Sequence, residues 1–246
     1  FDAAVRGFRA CHEADQKTGL RLTLTRHNVQ NIEQILDFID EESIKRVCFY
    51  HLVPAGRGSE LQMLEAEESR LAVDTLIKRV EEWNAKGVDR EVLTVTQPAD
   101  GAYLLVRMEQ ENHPNLEMAR KLLAWNGGGA NSSGRGIANI DTQGDVHPDQ
   151  FWQDVILGNV KRTKFSDIWE EKHEPSAAHL AEIRSIGLMS AEERKERMTG
   201  PCGGCKWFNI CGGGFRTRAA FANGNLWGSD PGCYLREEEI SERAVV

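Results

Sequence analysis

The sequence predicts an α/β protein in two parts, an alternating strand–helix layer followed by a small α+β domain. Three observations predict it. Strand and helix patterns alternate through the first hundred residues, composition changes abruptly after residue 125, and four of the six cysteines fall between residues 202 and 233. Residues 2–17 read as a helix, with Ala3, Val5, Phe8 and Cys11 at helical spacing, and Gly19 ends it. Leu20-Arg21-Leu22-Thr23-Leu24-Thr25 then alternates as a strand. Residues 29–42 follow as a helix that Asn28 can cap, with Ile32, Ile35, Leu36 and Ile39 on one stripe. A second strand over 46–53 is closed by Pro54-Ala55-Gly56-Arg57-Gly58, and a charged helix runs from about 65 to 83. Residues 91–97 give another strand and 100–125 another helix. The stretch 126–136 is rich in turn formers and begins a different architecture, so the domains are expected to be 1–125 and 126–246. Within the second, 137–147 reads as a small hairpin turning at 141–144. No internal repeat or low-complexity tract interrupts the chain.

Strands alternating with helices pair in parallel and bind ligands at their carboxyl ends. The polar residues at those ends are Thr25, Arg26, His27 and Asn28 after one strand, and His51, Arg57 and Ser59 after the next. So few strands leave an unpaired edge and a poorly covered face. The first half is therefore expected to complete a sheet whose other strands lie upstream, and the start at Phe1, inside a helical pattern, fits a piece of a longer protein.

The chain has 246 residues, room for one large domain or two of moderate size. It is 40% hydrophobic and 28% charged, within the ordinary range for soluble globular proteins. Thirty Lys and Arg face 38 Asp and Glu, a formal net charge of −8 that argues against a nucleic-acid footprint or an anionic membrane surface. No apolar run approaches the roughly 20 residues that span a bilayer, and residues 1–8 lack the basic leader and apolar core of a signal peptide. A cytoplasmic location is the expectation. The acidic stretches 65–69 and 237–239 read as solvated helix faces.

Cys11 and Cys48 stand apart in apolar surroundings and read as small buried hydrophobes. Cys202 and Cys205 form a C-x2-C pair, Cys211 follows after five residues and Cys233 after twenty-one more. In a cytosolic chain such clustered thiols are more often metal ligands than disulfides. Glycines around them (Gly203, Gly204, Gly212, Gly213, Gly214, Gly232) let backbone wrap closely and aim N–H groups at sulfur. Four thiolates suit tetrahedral zinc or a cubane iron–sulfur cluster, and spacing does not separate the two.

The segment 202–213, with Trp227-Gly228-Ser229-Asp230-Pro231-Gly232-Cys233-Tyr234-Leu235, resembles the auxiliary-cluster region of radical S-adenosylmethionine (radical SAM) enzymes with SPASM or twitch domains. The match narrows with Thr25-Arg26-His27-Asn28, the run 48–58, Asp145-Val146-His147-Pro148-Asp149-Gln150-Phe151-Trp152, Leu157-Gly158-Asn159-Val160 and Phe165-Ser166-Asp167-Ile168-Trp169. Together these look like the tetrapyrrole-modifying branch, which serves haem d1 biosynthesis and the siroheme-dependent haem route. The resemblance covers essentially the whole chain. It implies the C-terminal portion of a partial (β/α)6 radical SAM barrel, followed by a small α+β SPASM/twitch-like iron–sulfur domain.

The family's C-x3-C-x2-C loop, which holds the cluster that cleaves S-adenosyl-L-methionine, has no counterpart among these six cysteines. On its own the chain is expected to generate no radical. The wider pattern also places a cysteine after the hairpin proline, where Asp149 follows Pro148, and one before the hairpin, where 126–130 has none. The resemblance thus implies one auxiliary 4Fe–4S cluster, on Cys202, Cys205, Cys211 and Cys233, with S-adenosyl-L-methionine and a second 4Fe–4S cluster in the intact protein.

It also implies roles for other residues. Thr25 and Asn28 would bond the methionine or ribose part of the cofactor, though Asn28 as a plain helix cap fits equally. Pro54 and Gly56 would turn the backbone past the adenine, or form an ordinary tight turn. The substrate would be an iron tetrapyrrole with several carboxylates, for which Arg26, Arg57 and Arg135 are candidate partners. His51 would donate a proton or ligate iron, or be a structural histidine; His147 reads as structural. Arg216 and Arg218 would tune the cluster by charge or hydrogen bonds. The reaction would remove acetate or propionate side chains from a didecarboxysiroheme-type substrate, with a reductant such as flavodoxin or ferredoxin. The alternatives are a peptide-modifying maturase of the same superfamily, and a zinc-stabilised binding module without catalysis.

Overall fold

Alternating elements build a three-stranded parallel sheet in the computed structural model, which describes residues 1–56, 58, 62–126, 132–170 and 177–241. The elements are α1 (Asp2–Glu13), β1 (Leu20–Leu24), α2 (Ile32–Glu41), β2 (Arg46–His51), α3 (Ala66–Ala85) and β3 (Glu91–Val95). The strand order is sequential, β1-β2-β3, with Leu20 opposite Val47 and Val47 opposite Val92. The central strand β2 is the most apolar and the most buried, as a strand covered on both faces must be. Leu24, Leu36, Ile39, Val47, Phe49, Leu76 and Trp83 form the core between sheet and helices.

These elements make up one of two compact units, residues 1–52 and 61–96. Two details depart from the sequence reading. Residues 29–31 form a 3-10 turn before α2, and the Asn28 side chain does not cap it. And Cys11 is exposed, because α1 buries none of its residues, while Cys48 is buried as expected.

The second unit comprises 53–60 and 97–246. Its elements are α4 (Ala99–Gln110), α5 (Leu116–Asn126), β4 (Asn139–Ile140), β5 (Asp145–His147), β6 (Gly158–Asn159), α6 (Phe165–Trp169), α7 (Ala177–Leu188), α8 (Ala191–Arg197), α9 (Phe208–Cys211), α10 (Arg216–Asn223) and α11 (Glu237–Ile240). The single helix expected over 100–125 is two. Asn112 takes a left-handed φ of 51° and Pro114 follows, and proline excludes the helical conformation at the residue before it. The hairpin forms as expected, with Asn139 opposite His147, and β6 adds a third antiparallel strand. Val146, Leu157, Ile168 and Leu180 pack beneath it. Helices α4, α5 and α9 pack on one another, and α8 packs on α9 and on the 3-10 turn Gly200–Gly204.

Candidate functional site

The four C-terminal cysteines sit on three short pieces of chain. Cys202 lies in the turn Gly200–Gly204, Cys205 just after it, Cys211 at the end of α9, and Cys233 in the loop before α11. Cys205 and Cys211 are buried, Cys202 is half-buried, and Cys233 keeps an exposed face. The thiols lie close enough to repel one another's charge. Burial first, and then the neighbouring Cys205, Cys233 and Cys202, push the Cys211 thiol up to about 12. Burial, Cys202, Asp230 and Cys205 push Cys233 up to about 11. Such thiols stay protonated at neutral pH until a metal displaces the proton.

Each of three sulfurs accepts a backbone N–H from the residue two places on. Trp207 donates to the Cys205 Sγ at 3.4 Å, Gly213 donates to Cys211, and Leu235 to Cys233. Hydrogen bonds of this kind stabilise thiolate and tune iron–sulfur clusters. The bond to Cys211 forms because the chain turns sharply after it: Gly212, Gly213 and Gly214 have φ of 63°, 87° and 84°, the left-handed region that favours glycine. A Cβ on Gly214 would stand 2.5 Å from the Asp230 side chain.

Asp230 is the brace of the site. Its carboxylate accepts the Phe215 N–H at 2.6 Å and the Gly232 N–H at 2.9 Å, joining the loop after Cys211 to the loop before Cys233. Arg218 pairs with it through Nε at 2.6 Å and Nη2 at 2.7 Å, both side chains fully buried. Gln97 donates to the Gly232 carbonyl, and the Tyr234 hydroxyl donates to Asp100 at 2.7 Å. The Ser229 Oγ donates to the Thr199 carbonyl at 3.0 Å and accepts the Cys202 N–H at 3.4 Å. No sequence signal marked Gln97 or Asp100 for the site; Asp230 stood only as one residue of the segment 227–235 that carries the resemblance.

Among the described residues, no group of three or more His, Cys, Asp or Glu is set out to hold a single metal ion. A cubane asks for a different arrangement, one thiolate for each of its irons around a shared volume. Four thiols, with N–H donors on three of them, fit that group by donor chemistry.

The other candidates are placed as follows. Thr25 is buried and Asn28 sits beside it. The Asn28 side chain accepts the Thr25 N–H at 2.9 Å and donates to the Thr23 carbonyl at 2.8 Å, so its amide braces the turn after β1. Pro54 and Gly56 belong to the second unit, where Gly56, with φ 53°, lies against Gln153. Arg26 is held by Glu68 at 3.1 Å and Glu65 at 3.6 Å. Arg135 donates to the Gly187 carbonyl. His51 is buried at the end of β2, and its carbonyl accepts the Thr96 hydroxyl. Arg57 and Ser59 lie outside the described residues. His147 places its Nδ1 3.0 Å from the Val155 carbonyl, a structural bond from β5 to the connection that leads to β6.

Residues 132–206 match the SPASM family, described as an iron–sulfur cluster-binding domain. Cys202 and Cys205 fall inside that segment, Cys211 and Cys233 beyond it. The chain is 43% identical over 242 residues to Fe-coproporphyrin III synthase of Methanosarcina barkeri, covering 98% of itself and 58% of that protein. To pre-heme d1 synthase of Dinoroseobacter shibae it is 37% identical over 245 residues, covering 97% and 57%. The chain thus spans somewhat over half the length of these curated relatives. Its fold is similar to that of anSMEcpe with bound AdoMet and the Cp18Cys peptide, with a TM-score of 0.61 at 16% identity, covering 93% of this chain and 56% of that one.

Proposed function

We propose that this chain, a relative of the SPASM-bearing radical SAM proteins of haem biosynthesis, carries the auxiliary 4Fe–4S cluster of such an enzyme. The intact protein would remove acetate or propionate side chains from a didecarboxysiroheme-type iron tetrapyrrole. The observation that carries the reading is the set of four thiols with backbone N–H donors on three sulfurs, in a chain similar over nearly its whole length to Fe-coproporphyrin III synthase and pre-heme d1 synthase.

Cys202, Cys205, Cys211 and Cys233 would each give a thiolate to one iron, and the bound cluster would supply one-electron transfer or hold the substrate. Asp230, Ser229 and Gln97 fix the three cysteine-bearing pieces of chain in place. Residues 126–246 would form the auxiliary domain and 1–125 the end of the barrel. In the intact enzyme, Thr25, Asn28, Pro54 and Gly56 would contact S-adenosyl-L-methionine, for whose cleavage a second cluster outside this chain's cysteines would supply the electron. Arg26, Arg57, Arg135 and His51 would meet the tetrapyrrole. For Arg26 and Arg135 this requires release from Glu65, Glu68 and the Gly187 carbonyl, so substrate carboxylates must replace those partners. A reductant of the flavodoxin or ferredoxin type and a cytoplasmic setting complete the reading. No helix among the described residues is long and apolar enough to cross a membrane.

Iron and acid-labile sulfide, measured after anaerobic reconstitution of the chain and of Cys205→Ala, test the reading. About four of each per chain, lost in the variant, is the expected result. One zinc without sulfide overturns it in favour of a binding module.

A further inference from the structure

Two arginines follow Cys211 closely, and their surroundings differ in one respect that matters to an anionic cluster. Arg218 is neutralised within the fold by the two short bonds to Asp230. Arg216 is buried as deeply, at 4% exposure, but among the described residues it forms no ion pair. Its donors go to neutral acceptors: the carbonyls of Leu226 at 3.0 Å, Gly228 at 2.7 Å and Gly213, and the Met198 Sδ at 3.6 Å. Its Nε is buried with no hydrogen-bond partner.

A guanidinium in that position carries a whole positive charge into the interior, where charge is costly unless matched. The match on offer is the cysteine cluster. The Gly213 carbonyl that accepts from Arg216 lies 4.0 Å from the Cys202 Sγ, and the N–H of the same residue donates to the Cys211 sulfur. Burial disfavours the Arg216 charge, while Asp230, Cys202 and Cys211 favour it. Of these, Asp230 is already matched by Arg218, which leaves the thiolates.

We propose that Arg216 is a positioning residue whose unpaired, buried charge stabilises the reduced state of the auxiliary cluster, while its neighbour Arg218 holds the Asp230 brace and leaves the potential alone. The inference rests on the cluster reading above. One electron from an external low-potential reductant enters the cluster, no bond is made or broken, and the cluster gains one negative charge. A fixed cation bonded to the same Gly213 that contacts Cys202 and Cys211 favours that more anionic state, strongly so where water is excluded.

The test is a redox titration of the reconstituted full chain, followed by the electron paramagnetic resonance signal of the reduced cluster. It compares the wild type with Arg216→Gln, Arg216→Met and Arg216→Lys. The two uncharged variants should shift the ratio of reduced to oxidised cluster at least tenfold toward oxidised, which for a one-electron couple is a midpoint lower by about 59 mV or more. Arg216→Lys should stay within about threefold of wild type. The methionine variant keeps much of the side-chain volume and stands in where glutamine fails to fold. A loaded chain whose uncharged variants keep the wild-type midpoint overturns the role of Arg216 alone. A lysine variant as low as glutamine reduces that role to its hydrogen bonds and overturns the charge argument. A wild-type chain that takes up no iron and sulfide overturns the cluster reading, and this inference with it.

Discussion

Removing the Arg218 guanidinium strands the Asp230 carboxylate in a dry interior, still facing the Phe215 and Gly232 N–H groups but without its cation. Breaking one partner of a buried pair costs about 3–5 kcal/mol, most of it the uncompensated charge. Arg218→Met is therefore expected to lower unfolding stability by that amount, and Arg218→Met with Asp230→Asn to recover a good part of it. Urea midpoints of the three proteins check this. A single-variant loss below about 1 kcal/mol would show that Asp230 is held by its N–H donors instead. At this scale the sequence displayed the candidate ligands and hid what supports them. Cysteine spacing is visible as a string, whereas Gln97 and Asp100 reach the Cys233 loop from more than 130 positions upstream. The string could not divide Arg216 from Arg218 either, since the difference lies in which guanidinium the fold sets against Asp230.

Helix α3 is tied to α2 by Asp40, whose carboxylate accepts from Trp83 Nε1 at 2.8 Å, from Arg79 at 3.1 Å and from Arg90. Arg79 reaches on to Glu33 at 2.9 Å and Asp37 at 3.0 Å. Partial burial works against the Asp40 charge, but the bonds from Arg90 and Trp83 outweigh it and hold the carboxyl below its ordinary value. A carboxylate with a depressed folded-state pKa adds stability above its unfolded pKa and loses it as pH falls through the folded one. Asp40→Asn should thus cost about 1 kcal/mol at pH 7, and the gap to wild type should close as pH drops below about 4. Denaturant melts from pH 7 to 3 read this narrowing directly, and a gap as wide at pH 3 as at pH 7 would assign the effect to packing. The helices and strands of this unit were legible because their apolar periods are clean: Ile32, Leu36 and Ile39 are all buried. The break between α4 and α5 was written in Pro114 and in the polar run 109–115 around it, and the expectation of a single helix passed over both. Strand β6 has two residues and no period to read.

The chain divides into two units with separate cores, and all four candidate ligands belong to the second. A group that binds only the folded form of a unit adds its binding free energy to the stability of that unit. In the second unit the adjoining elements are short: α9 and α11 have four residues each, below the length at which a helix persists without tertiary support. The apo state also gathers four thiols in one place, two of them pushed to about 12 and about 11. Loading the cluster should therefore slow amide hydrogen exchange at least tenfold in 198–241, with smaller effects over the rest of 97–197. Residues 1–52 and 61–96, whose core of Leu36, Phe49, Leu76 and Trp83 is complete without the cysteines, should exchange alike in both states. Exchange measured by mass spectrometry on apo and loaded chain separates the two units in one experiment. Equal protection in both units on loading would mean that they fold as one cooperative body and that the cluster supports the sheet as much as its own loops.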